Sequence, residues 1–174
     1  MKIFTDDPLV KYCNTTVSDV RTREEIDAKL REYDVVDIAW HWKPTANDVY
    51  VQFGIEEIIN EVPIKVVVKV VCPMIWNKAN RNAKIPERRT EHVNLEVGMR
   101  AMFWYIKSHL ETAYAMQSSR VAGFLPDIIT HNGRTYFDSV LNRITDFAAL
   151  PEPTETVGRK VEVVKQQPRN ITNL

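Results

Sequence analysis

One apolar stripe constrains this chain more than any other feature. Met99, Met102, Phe103, Ile106, Leu110, Ala113 and Tyr114 fall at i, i+3, i+4, i+7, i+11, i+14 and i+15, the spacing that lines one face of an α-helix. The pattern predicts one long amphipathic helix starting near Thr90–Glu91. A stripe of that length has to be buried against another layer, and upstream strands are the candidates.

Three segments carry the two-residue period of half-buried strands. Val36, Ile38, Trp40 and Trp42 alternate with Asp37, Ala39, His41 and Lys43, and after a polar turn at Pro44–Asp48 the pattern resumes. Val49, Val51, Phe53 and Ile55 alternate with Tyr50, Gln52 and Gly54, so the second strand is expected to form a hairpin with the first. In the third, Ile64–Val71, Ile64, Val66, Val68 and Val70 share one face, and Lys65, Val67, Lys69 and Val71 the other. The expected object is an antiparallel meander with one core face.

The remaining segments are shorter. Lys2–Phe4 reads as a short strand followed by an irregular arm. Thr22 with Glu25 forms a T-x-x-E capping box that opens a helix carrying Ile26 and Leu30, with Asp34 near its end. Between Cys72 and Arg89 the periodicity stops, with two prolines and three asparagines, and a long mobile loop is expected. After the long helix a connector, Ser118–Asp127, leads to a tight turn at Asn132–Gly133. Thr135 and Asp138 then resemble a second capping box, for a helix with Phe137, Leu141, Ile144 and Phe147. Residues 151–174 are polar and proline-punctuated and read as a disordered tail. The expected fold is therefore α+β. An N-terminal helix, the three-stranded antiparallel meander, the long amphipathic helix and shorter C-terminal helices form one domain over residues 1–150, with the helices on one sheet face.

Composition excludes several function classes. With 23 basic and 23 acidic residues no global field draws in nucleic acid or an anionic membrane, so any electrostatic preference must be local. Cys13 and Cys72 have neither metal-ligand nor disulfide-framework spacing. No segment approaches the roughly 20 apolar residues of a bilayer span, and the N-terminus lacks the apolar run of a signal peptide. A soluble intracellular protein is expected. None of the five glycines lies in a G-x-G arrangement, which argues against a phosphate-cradling loop.

The element order, taken with Ala101–Tyr105, Ile106–Lys107, Leu110–Glu111, Phe124–Leu125–Pro126 and Gly133–Arg134–Thr135, resembles a family of small proteins of bacteriophages, prophages and related mobile elements. MRAMFWYIKSHLE stands where that family has a helix similar to R-A-L-x-x-x-I-K-x-x-L-E, FLP matches its connector, and NGRT replaces D-G-R-T. The resemblance covers roughly residues 20–150. It implies action in a host cytoplasm and directs attention to replication, recombination or host takeover, without supplying an activity. In element order alone, a meander followed by a long helix also resembles the core of phage single-strand annealing recombinases, for which ring-like oligomers would be expected.

Three patches suit a nucleic-acid partner and are expected to form one binding surface together. Trp76 opens a loop with Lys78, Arg81, Lys84, Arg88 and Arg89 against Glu87 alone, and a basic segment with an aromatic can follow phosphates and stack on a base. Trp104 points about 140° from Met99 on the helix, between Arg100 and Lys107. On the polar sheet face His41, Lys43, Tyr50, Gln52, Lys65 and Lys69 combine aromatic and basic groups as single-strand binders do. Each has a plainer reading: a solvated connector, a buried tryptophan, a lysine-guarded strand edge. Val67 and Val71 on the polar face point to partial cover by the N-terminal arm or a neighbour. Arg159, Lys160, Lys165 and Arg169 in the tail would add cationic charge.

Catalytic patterns are weak. His109 and Glu111 are two apart on a helix and diverge by about 200°, and Glu91, His92 and Glu96 lack a second ligand set. Asp37, Asp48, Glu56 and Glu57 are the carboxylates from which a metal-dependent nuclease site would have to be built. The expected function is a non-enzymatic, cofactor-free nucleic-acid-binding accessory protein with single-stranded nucleic acid as partner. The alternative is a protein-interaction module, an inhibitor of a host or defence enzyme or a homo-oligomer, anchored by Trp76, Trp104 and Tyr105.

Overall fold

The computed structural model describes residues 2–82 and 84–141. Two three-stranded sheets and two principal helices make up an α+β fold. Strand β1 (Ile3–Phe4) is followed by helix α1 (Asp19–Glu32) and the meander β2 (Val36–Lys43), β3 (Asp48–Ile59) and β4 (Val62–Val71). Then come β5 (Ile75–Asn77), β6 (His92–Val93), α2 (Leu95–Ala115) and the short α3 (Arg120–Gly123), and residues 136–141 are again helical.

The meander pairs in chain order, β2-β3-β4, both interfaces antiparallel. Its alternation is as expected: Val49, Val51, Phe53, Ile55, Val68 and Val70 are buried on one face, against Ile26 and Leu30 of α1 and Met99, Met102, Phe103, Ile106 and Leu110 of α2. Asn60 and Glu61, at φ 51° and 67°, form the two-residue β3–β4 turn, in the left-handed conformation that matches strand twist. A bulge lies between Val36 and Ala39 in β2, where Asp37 takes φ 54°.

Three boundaries differ from the sequence reading. Helix α1 starts one turn early: Ser18, not Thr22, is the N-cap, its hydroxyl accepting from the Arg21 amide at 3.2 Å. Thr22 is instead fully buried inside the helix, donating to the Ser18 carbonyl at 3.0 Å. Ser18→Ala is expected to lower stability by about 1 kcal/mol, read as a shifted urea midpoint. Helix α2 begins at Leu95 with Asn94 as cap, because residues 92–93 are drawn off into β6. The segment 72–89, read as a patternless loop, contains β5 and a 3-10 turn at Pro86–Arg89. There β5 runs parallel to β1 and antiparallel to β6, making a second small sheet against the start of α2. Gly98 permits that contact, since a Cβ there would stand 2.5 Å from the Pro73 carbonyl oxygen.

The connector after α2 is tied to the hairpin by Glu57. Its carboxylate accepts from the Ser119 hydroxyl and from the Arg120 and Val121 amides. Burial alone would raise this carboxyl, but those bonds and the Arg120 guanidinium outweigh it and hold it below its ordinary value of 4.5. A depressed carboxylate stabilises the fold above its unfolded pKa and loses that contribution as pH falls through the folded one. Stability is therefore expected to drop below about pH 4.5, and Glu57→Gln should flatten that drop in acid unfolding curves. Thr135 does cap the turn that follows: its hydroxyl accepts from the Asp138 amide at 3.2 Å and donates to the Asp138 carboxylate at 2.7 Å. Ile144, Phe147 and the tail 151–174 lie outside the described residues.

Candidate nucleic-acid interface

The face of the meander turned away from α1 and α2 carries one ordered row. His41 and Tyr50 are cross-strand partners, and their rings stack at 4.6 Å with 7° between planes. Lys69, diagonal to Tyr50 on β4, sets its ammonium 4.1 Å from the Tyr50 ring centroid. A histidine, a tyrosine and a lysine thus cross all three strands side by side. Val67 and Val71 on this face are 43% and 54% exposed, so the N-terminal arm does not close over them.

The charges around this row are paired in part. Lys65 lies 2.9 Å from Asp37 and 2.8 Å from Glu56, and hydrogen bonds to those carboxylates raise its ammonium well above the ordinary lysine range. His41 Nε2 is 2.8 Å from Asp48 Oδ2, off the angle of a hydrogen bond. Lys69 and Lys43 have no carboxylate partner among the described residues. The face is an aromatic platform with two available cations.

The second surface sits in the small sheet. Trp76 is half-buried between neighbours, paired with Phe4 and Val93, with the Lys2 ammonium 4.3 Å from its ring. Lys78 is bound to Asp6 at 2.6 Å. Arg81, Lys84, Arg88 and Arg89 are exposed. Asn77 and Asn94, which the sequence does not single out, build a polar network here with His92, considered from the sequence only as a metal ligand. Asn77 Nδ2 meets His92 Nε2 at 3.0 Å, and Asn77 Oδ1 accepts from Thr5 and Asn94 at 3.1 and 3.3 Å. With Lys78 and Arg88 they line a concavity of about 670 Å³. Strands of two and three residues give no periodicity, so no sequence signal marks Asn77 or Asn94.

The third surface is closed by the protein itself. Tyr12 of the N-terminal arm stacks on Trp104 at 5.5 Å with 10° between planes. Arg100 is ion-paired with Glu25, whose carboxyl that bond holds below the usual range. Lys107 sits 4.5 Å from the Trp104 ring and 3.5 Å from Glu111. Because α2 covers the core face of the sheet, Trp104 and the His41–Tyr50–Lys69 row lie on opposite sides of it. The expected single surface is therefore divided: the Trp104 patch and the open sheet face do not adjoin.

The side chains considered for catalysis are engaged elsewhere in the fold. Among the described residues no three His, Cys, Asp or Glu side chains converge as metal ligands. Of the four carboxylates considered for a nuclease, Asp37 and Glu56 close on Lys65, Asp48 on His41 and Glu57 on the connector. The Cys72 thiol is pushed up to about 12 by burial, which removes it as a nucleophile. No described helix is long and apolar enough to cross a membrane. Comparison with protein-family models, with curated proteins and with solved structures found no match to this chain.

Proposed function

We propose that this protein is a non-enzymatic binder of single-stranded nucleic acid, and that the open face of the meander is its binding surface. The observation that carries this is the His41–Tyr50–Lys69 row, an aromatic stack with an adjacent ammonium on an uncovered sheet face. Bases of any sequence stack on such rings, and the lysine answers the phosphate between them. Unpaired strands fit better than duplex, because a duplex hides its base faces. The exposed cations Arg81, Lys84 and Arg88 belong to a separate surface and would hold flanking backbone. The resemblance to phage and mobile-element proteins supports a role in replication or recombination.

A second reading, a protein-interaction module, draws on the apolar groove beside the outer edge of β4, lined by Val71, Pro73, Tyr105, Pro126 and Phe137. Trp76 and Trp104 are already engaged within the chain, which removes two of the three anchors of that reading and leaves Tyr105, which lines this groove. Fluorescence anisotropy of a labelled single-stranded oligonucleotide at low and moderate salt separates the two. Binding that weakens with salt, and exceeds binding of the matching duplex, is the expected result. No binding at low salt overturns the proposal.

A further inference from the structure

The two edges of the meander are finished differently. The outer edge of β4 is closed by the chain itself: Ile128 bridges to Val68, and the Ile129 amide donates to the Val67 carbonyl at 2.8 Å. Among the described residues no strand lies beside the outer edge of β2. Among the described residues, no backbone hydrogen bond leaves Val36–Lys43 other than those to β3.

The bonding phase of that open edge follows from the rest of the sheet. The Cys72 amide donates to the Val49 carbonyl at 2.9 Å, which makes this opposed pair a hydrogen-bonded one. In an antiparallel ladder bonded pairs alternate along the strand, so Val49, Val51 and Phe53 direct their backbone groups to β4, and Tyr50 and Gln52 direct theirs to β2. Their partners His41 and Ala39 therefore bond inward. Trp40 and Trp42 present N–H and C=O at the open edge. Their side chains are half-buried, edge to face at 6.1 Å, under the Arg23 guanidinium at 5.2 and 5.6 Å.

We infer that a second copy of this chain adds here, β2 against β2, antiparallel about a two-fold axis at Trp40. In that register Trp40 opposes the partner's Trp40, the two exchanging a pair of backbone hydrogen bonds, and Ala39 opposes the partner's His41. The bulge at Asp37–Ile38 then lies beside the partner's Lys43, twice by symmetry. The charges choose this register. A slip of one residue sets inward-bonding groups against outward ones, and a slip of two separates Asp37 from Lys43. Lys43 has no ion pair of its own among the described residues, and Asp37 holds Lys65 through Oδ2 alone. Asp37 and Ile38 form the bulge at the rim, so the regular ladder runs over Ala39–Lys43 and Asp37 meets Lys43 through its side chain alone. The product is a six-stranded sheet whose polar faces run on into each other.

Sedimentation equilibrium of the full chain without nucleic acid tests this independently of the binding proposal. The expected mass is twice the 20.2 kDa of one chain. Lys43→Asp sets like charges against each other at both symmetric positions and is expected to weaken the dimer roughly tenfold or more. Asp37→Asn added to Lys43→Asp removes the repulsion, suits the left-handed φ at 37, and should recover most of that loss. Thermal melts of each variant check that the fold persists. A monomer at every concentration up to about 100 µM, or a dimer indifferent to Lys43→Asp, overturns the inference.

Discussion

Tyr50→Ala is expected to weaken binding of a single-stranded oligonucleotide by roughly tenfold to a hundredfold, since one base–aromatic stack contributes about 1–3 kcal/mol. The ring is the centre of the row: it stacks on His41 at 4.6 Å and supports the Lys69 ammonium at 4.1 Å. Removing it withdraws the platform and loosens both neighbours. Tyr50 is only half-buried on the solvent side of the sheet, so the fold should lose far less than the binding does. Lys69→Ala should act differently. It removes one phosphate contact and lowers the slope of log affinity against log salt by about 0.7, with a smaller effect at a single low salt. Equal affinity of Tyr50→Ala and wild type, measured by anisotropy, would contradict the assignment of this face.

The largest stability effect is expected at Phe53. It lies on the central strand, fully buried, and meets Phe124 of the connector edge to face at 5.4 Å. One side chain thus joins sheet, α2 and the segment following it. Phe53→Ala leaves a cavity that these three elements cannot close together, at a cost of about 3–5 kcal/mol. That is a large fraction of the roughly 5–15 kcal/mol that holds an ordinary domain folded. Thermal unfolding by circular dichroism should fall by about 10 °C or more. Val67→Ala, on the exposed face of the same sheet, should shift stability by no more than about 0.5 kcal/mol. Similar losses for both would mean that the two faces have been exchanged.

What could be read from the residues depended on how long each pattern ran. The alternation in β3 and β4 sorts Tyr50 and Lys69 from Phe53 and Val68 residue by residue, because a two-period over eight or more residues has only one face to bury. The stripe of α2 worked in the same way. Thr22 misled because T-x-x-E occurs where the cap is not; yet Thr22, Ile26 and Leu30 are four apart, and that spacing places Thr22 on the buried stripe. The small sheet was beyond pattern reading. Its β1 and β6 are two residues long, and Ile3 pairs with Ile75 far along the chain. Trp104 marks a further limit: the helical angle placed it off the core stripe, but only the path of the arm shows that Tyr12 lies on it.

Photo-crosslinking of a single-stranded oligonucleotide carrying 5-bromouracil, with adducts mapped by mass spectrometry, tests the central claim most directly, because the reaction marks the ring on which a base stacks. The predicted adducts fall on Tyr50 or His41 and fade as salt is raised. Adducts confined to Trp104 or to residues 76–89, or none at low salt, would contradict it.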